Sequence, residues 1–322
     1  MMRWMRAFIA GCAVLASAAA APQDLPFQGP IKIVAGFAPG GQTDVLARLI
    51  ADRMQAALKR NVIVENRLGA GGGLAAETVK NATPDGSTIL ISNIVVMSLA
   101  PLSTPDLRYE AARDFVPILQ VAEYQLALAT GSSTGARTLP ELVAWLKGNP
   151  DKANYGVPAA GSLPHLYGVA LANALSSPLT MVPYRGGSPI VTALAGGHLA
   201  MGLAGMGDFA EQHGGGALRI VAVSGTSRNP VLGEVPTFAE LGYRGFEENG
   251  WNGFFAPAGT PPPIVAAYAK VMAEALADAE MRRKLEALGL TVTVRSGPEL
   301  AARIPAEREM WRPIVKAANL KP

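Results

Sequence analysis

Two stretches carry residue types that could do chemistry: Phe37-Ala38-Pro39-Gly40-Gly41-Gln42-Thr43-Asp44 and Ala159-Ala160-Gly161-Ser162-Leu163-Pro164-His165. In each, glycine precedes apolar residues that recur at helical spacing, so each marks a helix start. The first N–H groups of a helix have no internal acceptor, and the helix dipole adds partial positive charge there. Gly40 and Gly41 also lack a Cβ, so a ligand can come close to the backbone. What such turns offer is the binding of a small anion, in the first instance a carboxylate. Thr43 or Asp44 is placed to cap the first helix and Ser162 the second. The three-residue spacing of Ser162 and His165 also raises a serine hydrolase. The G-x-S-x-G elbow is missing, however, no acid is placed by sequence to orient His165, and His198 and His213 lie in glycine-rich surface contexts. With three histidines, one cysteine and neither an H-E-x-x-H nor an EF-hand pattern, the chain is expected to hold no metal and no cofactor, and not to be an enzyme.

The elements that position these turns read as α/β. Ile31 to Asn93 alternates strand 31–37, helix 44–59, strand 61–66, helix 74–82 and strand 87–92, and connections of that length make the strands parallel neighbours. Asn66 to Gly73 (NRLGAGGG) tests for a dinucleotide motif and fails, because Leu74 stands where a small residue is needed. The apolar run Phe115 to Ala129 reads as one strand leading out of a first lobe. A second series follows: a capping box at Thr138 to Glu141, strand 153–157, a helix from Ser162, strand 179–184, a helix from Ser188, and strands near 199–204 and 218–224. Trp251 to Ala256 carries the chain back, and the remainder is helical apart from strand 290–295, with a second capping box at Ser296 to Glu299. Two crossings imply lobes hinged about a cleft, residues 25–123 with 252–322 against 124–251.

Arg3 and Arg6, the apolar Ala7 to Ala16 and the small residues Ser17 to Ala21 form a secretory signal over residues 1–21, with cleavage after Ala19 or Ala21. Ile9-Ala10-Gly11-Cys12 resembles a lipoprotein box, but the apolar segment before Cys12 is only about five residues, so a soluble periplasmic product is preferred. Removing residues 1–21 takes away two arginines and no acid, and the formal net charge falls from +3 to +1. A near-neutral exported chain has no electrostatic reason to hold nucleic acid or an anionic membrane. No later apolar run approaches the roughly 20 residues of a membrane span.

Several segments together resemble the solute receptors of tripartite tricarboxylate transporters, the Bug-type (TctC-like) extracytoplasmic receptors. They are Phe37 to Asp44 with Ala47-Arg48, Val64 to Gly72, Pro84 to Thr88, Arg113-Asp114-Phe115, Gly161-Ser162 with His165-Leu166, Val182 to Gly187, and Val235-Pro236-Thr237 with Glu240 and Gly242. The resemblance implies a two-lobed type II periplasmic binding protein fold. It also implies a monomeric receptor that delivers a small organic carboxylate to a two-subunit membrane permease. A ligand sensor docking on a histidine-kinase ectodomain would use the same cleft.

Carried over by position, Phe37, Ala38, Gly40, Gly41, Gln42, Thr43 and Asp44 form one wall of the site, Asp44 as a capping carboxylate. Ala160, Gly161, Ser162 and His165 form the other, partly through ordered water. Ser92 and Asn93 lie at a third strand end, Tyr184, Arg185, Gly186 and Gly187 at the next, and the run Leu203 to Asp208, with Met206 and Asp208, covers the far end of the ligand. Ala159, Val157 and Ala200 depart from the family's usual residues, and Gln42 adds an amide where a small residue is usual. With the Leu203 to Met206 run, these departures favour an aromatic or short-chain monocarboxylate.

Overall fold

Strand β1 (Ile31–Ala35) is buried except at Lys32, because Ile31 and Ile33 face one apolar layer and Val34 the other. The computed structural model describes residues 26–104 and 106–319; the expected signal, its cleavage site and Cys12 lie outside the described residues. From β1 the chain runs through α1 (Gln42–Leu58), β2 (Val62–Asn66), α2 (Gly73–Lys80), β3 (Thr88–Asn93) and β4 (Phe115–Tyr124). A second series follows as β5 (Leu126–Thr130), α3 (Leu139–Gly148), β6 (Asn154–Val157), α4 (Leu163–Leu175), β7 (Thr180–Pro183), α5 (Gly187–Ala195), β8 (Met201–Gly205), α6 (Met206–Gly214) and β9 (Arg219–Val223). The chain closes with β10 (Gly250–Pro257), α7 (Pro262–Ala277), α8 (Ala279–Ala287), β11 (Thr291–Ser296) and α9 (Gly297–Ala317).

These strands form two sheets, ordered β11-β4-β10-β3-β1-β2 and β7-β6-β8-β5-β9. In the first, β1 lies parallel between β2 (Ile33 opposite Val64) and β3 (Ile33 opposite Ile89), and β10 runs antiparallel between β3 and β4. The second repeats this pattern: β6 lies parallel between β7 and β8, and β5 runs antiparallel between β8 and β9. The turns after β1 and β6 thus sit where the connections leave to opposite sides of each sheet, the point at which open α/β sheets bind ligands.

The run Phe115 to Ala129 is two strands rather than the expected one. It breaks at Gln125, and β4 and β5 belong to different sheets. The Gln125 side chain explains the break. Its amide donates to the Ser224 and Ser227 carbonyls at 2.6 and 2.9 Å, and its oxygen accepts from Asn229 Nδ2 at 2.8 Å. The first crossing between the sheets is thereby stitched to the second, which leaves β9 at Ser224 and re-enters the first sheet at Gly250. The glycine-rich turn after β2 is a packing device: a Cβ on Gly36 would come 2.6 Å from the Gly72 Cα, so the backbones touch.

One apolar cluster joins both sheets on the hinge side. There Tyr167 of α4 lies against Trp311 of α9, ring centroids 5.6 Å apart, and against Phe246 at 5.3 Å.

Candidate functional site

The turns after β1 and β6 have the same backbone. Gly40 (φ +78°) and Gly161 (φ +76°) are left-handed, and each is followed by an extended N-cap residue, Gly41 (φ −71°, ψ 162°) and Ser162 (φ −71°, ψ 163°). In each, the third helical residue reaches back to the glycine N–H: Asp44 Oδ2 accepts from Gly40 at 2.9 Å, and His165 Nδ1 from Gly161 at 3.1 Å. The left-handed glycine turns the chain so that the remaining first-turn N–H groups face outward. Pro164 has none to offer, which leaves Leu163 and His165 on the second helix.

The expected caps are corrected in detail. Thr43 is inside the helix, its hydroxyl donating to Asn252 Oδ1 at 3.2 Å, and Gly41 is the N-cap. Ser162 holds the N-cap position without capping, because its hydroxyl donates to the Ala159 carbonyl at 2.6 Å. Ser162 and His165 are therefore not hydrogen-bonded to each other and form no nucleophile and base pair. His213, expected at the surface, is buried: its Nδ1 accepts from Ile220 N–H at 3.2 Å and its Nε2 lies 3.1 Å from Glu234.

Both turns border one cavity of about 390 Å³ between the sheets. Gln42 lines it from α1, Ser162, Leu163 and Pro164 from the start of α4, and Gly205 to Asp208 from the start of α6. Among the expected residues, Gln42, Ser162, Met206 and Asp208 line it. Phe37 lies beside Gly72, Ala38 accepts from Gly41 N–H at 3.1 Å, and Thr43, Asp44, Ser92 and Asn93 are buried behind the first turn. Asn93 Oδ1 accepts from Val95 and Val96 N–H at 3.0 and 3.3 Å, and the buried Ser92 hydroxyl finds no protein partner among the described residues. Ala160, Gly161 and His165 back the second turn. Tyr184 and Gly186 donate to Val157 and Pro158 at 2.8 and 3.2 Å, Arg185 is exposed, and Gly187 abuts Asp208.

Other lining residues were not foreseen: Tyr124 and Leu126 beside the first crossing, Val95 after β3, Pro158, and Ala287 to Gly289 at the end of α8. Leu288 is fixed to the site by its carbonyl, which accepts from Gln42 Nε2 at 2.8 Å across 246 residues of sequence. No local pattern announces such a contact.

Across the cavity wall, a Cβ on Gly289 would come 3.1 Å from the Gly207 Cα, so the two lobes meet there backbone to backbone. Behind the cleft, Arg303 of α9 donates to Glu123 at 2.6 Å, beside the first crossing, to Glu248 at 3.0 Å, beside the second, and to Glu307 at 2.6 Å.

Burial alone would push the Asp44 carboxyl up, but Arg48 at 2.9 Å, Asn66 Nδ2 at 2.8 Å and the Gly40 N–H outweigh it and hold it below the usual carboxylate range. Burial lowers His165, keeping it neutral with Nδ1 free to accept. The surrounding protein raises the Asp208 carboxyl, which the Gly205 N–H offsets in part. The Tyr124 phenol is pushed up to about 12 by burial and by the charges of Asp208 and Glu307. Among the described residues there is no cluster of three or more histidine, cysteine or acidic side chains that could hold a metal ion, and no helix long and apolar enough to cross a membrane.

Residues 46–320 match the family described as tripartite tricarboxylate transporter family receptor, TctC. The chain is 32% identical over 297 residues to protein BugT of Bordetella pertussis, covering 91% of this chain and 90% of that protein. It is similar to the structure of MatC from Rhodopseudomonas palustris with bound malate, with a TM-score of 0.78, 31% identity, and 90% and 100% of the two chains covered. A second R. palustris structure, with adipate, superposes with a TM-score of 0.82 at 29% identity, covering 92% and 98%. The two-lobed periplasmic binding fold expected from the sequence is the fold found.

Proposed function

The chain belongs to the tripartite tricarboxylate transporter receptor family, and from that premise we propose that it captures a small carboxylate between its lobes and hands it to a two-subunit membrane permease. It is an extracytoplasmic solute receptor. The relatives whose structures hold malate and adipate are carboxylate binders, which supports the same ligand class here. One observation carries the reading: two turns of the same backbone, one from each sheet, border a single cavity, with Gln42 on one side and Ser162 on the other.

In this reading the carboxylate accepts hydrogen bonds from the first-turn N–H groups of α1 and α4 and, once the hydroxyl turns away from the Ala159 carbonyl, from Ser162, directly or through water. Phe37 to Asp44 and Ala160 to His165 shape the two walls, with Asp44 and His165 holding the turns rather than touching the ligand. Ser92, Asn93 and Tyr184 to Gly187 flank them, and Met206 and Asp208 complete the cavity from the third turn. The lobes, residues 25–123 with 252–322 and 124–251, close on the ligand because the closed form binds it better. The chain acts as a periplasmic monomer after removal of residues 1–21, and its ligand is a short-chain or aromatic monocarboxylate.

A thermal-shift screen against mono-, di- and tricarboxylates tests this. A ligand at one hundred times its dissociation constant adds about 2.7 kcal/mol of stability. Ser162→Ala should weaken that ligand while leaving the unliganded melting temperature within a few degrees. No shift with any carboxylate removes the proposal.

A further inference from the structure

Asp208 is the third residue of α6, as Asp44 is of α1, and its carboxylate likewise lies beside a backbone N–H at the helix start, that of Gly205. The resemblance ends there. The Asp44 carboxylate is enclosed, its side chain 2% exposed, and is neutralised by Arg48 and Asn66. Asp208 opens onto the cavity, and no cation among the described residues offsets its charge. It is held there by Gly187, where a Cβ would collide with the Asp208 carboxyl carbon, so the glycine turn after β7 is cut away to seat it. Among the described lining residues Asp208 is the one that carries charge; no lysine, arginine or histidine lines the cavity. Tyr124, on the same cavity, adds a neutral phenol.

Resting on the receptor reading above, we propose that Asp208 selects a ligand that carries an ammonium group besides its carboxylate, so that the preferred solute is a short zwitterionic amino acid rather than a dicarboxylate. The helix starts of α1 and α4 satisfy one negative charge. Asp208 is exposed on the open cavity, and a second carboxylate held between the closing lobes would lie beside its charge, with no cation among the described residues to offset either, so that the like charges repel. An ammonium in the same place forms a charge-assisted hydrogen bond to Asp208 and removes an otherwise uncompensated anion from the site. Val95, Leu126, Leu163 and Met206 give the cavity an apolar lining suited to the short carbon chain between the two charges.

Calorimetry at neutral pH with ligands matched in length tests this directly: β-alanine against succinate and butyrate, and γ-aminobutyrate against glutarate and valerate. The wild-type protein should bind the amino member of at least one set roughly tenfold or more tighter than its two partners. Asp208→Asn, which keeps the side chain's shape, should lose that preference, binding the amino acid about tenfold more weakly and the dicarboxylate more tightly, with the alkyl acid little changed. The wild-type ranking needs no variant, so it stands even if Asp208→Asn folds poorly. Dicarboxylates or alkyl acids bound at least as tightly as their amino counterparts, or a preference that survives Asp208→Asn, overturns the assignment while leaving the receptor reading intact. Failure of every carboxylate, charged at the other end or not, overturns both.

Discussion

Asp44 and His165 do the same work in opposite lobes. Each is the third residue of its helix and accepts a hydrogen bond from a left-handed glycine four residues earlier, at 2.9 Å from Gly40 and 3.1 Å from Gly161. One is an anion held by an arginine and the other a neutral ring held by burial, so the two turns share a geometry but differ in their response to pH.

For Asp44, the folded carboxyl titrates below its unfolded value of about 3.9. Its contribution is therefore fully present above that value and is lost as pH falls through the folded one. Asp44→Asn should destabilise the protein at neutral pH by about 1–3 kcal/mol, since Gly40 and Arg48 lose their charged acceptor. Denaturant melts should show the gap between variant and wild type narrowing below about pH 4.

His165 has the same sign in a higher pH window. Its folded pKa lies below the unfolded value of about 6.5, so the unfolded chain takes up a proton that the folded protein does not. Wild-type stability should decline as pH drops below about 6.5, and His165→Asn, which can still accept from Gly161, should flatten that decline. Equal slopes for the two proteins between neutral and mildly acid pH would remove His165 as the source.

Gly289 and Gly207 meet on the wall of the cavity. Gly289→Ala adds a methyl at that contact and places alanine at φ +72°, a backbone cost of about 1 kcal/mol. Gly242→Ala (φ +85°, with open space around the Cβ) carries the same backbone cost without the contact. Both should lower the melting temperature, but only Gly289→Ala should weaken ligand binding and reduce ligand-induced compaction in small-angle scattering. Matching affinities for the two variants would show that the lobes do not need this contact to close.

Arg303 neutralises Glu123, Glu248 and Glu307 at once, and burial holds the Glu307 carboxyl above its ordinary value despite the guanidinium. Arg303→Met leaves Glu307 buried without a countercharge and should cost about 3–5 kcal/mol. Adding Glu307→Gln should return part of that loss. A double variant whose loss is the sum of the two single losses would mean that the pair is not coupled, which a thermodynamic cycle reads directly.

The local grammar of the chain was legible. Strand, glycine turn and helix could be read at Ile31 to Leu58 and again at Asn154 to Leu175, because apolar period, glycine and helix-start chemistry act over a few residues. Ser296 with Glu299 was read as a capping box for the same reason, and the Glu299 carboxylate accepts from the Ser296 N–H at 2.7 Å. The resemblance carried by Phe37 to Asp44, Gly161 to His165 and Val182 to Gly187 gave the fold.

The break at Gln125 was not legible, since Gln120 and Glu123 stand in the same run without breaking it and what ends the strand is a set of bonds to Ser224, Ser227 and Asn229, about a hundred residues away. Nor was the wall supplied by Leu288 and Gly289, or the exposure of Asp208 to the cavity while Asp44, in the same helical position, is sealed. Periodicity and caps are set by neighbours in sequence, so the chain alone determined the two glycine turns and the helix starts that follow them. Which side chains share their cavity, and which charges stay unpaired in it, depends on surfaces that meet only when two sheets pack, and only the tertiary structure decided that.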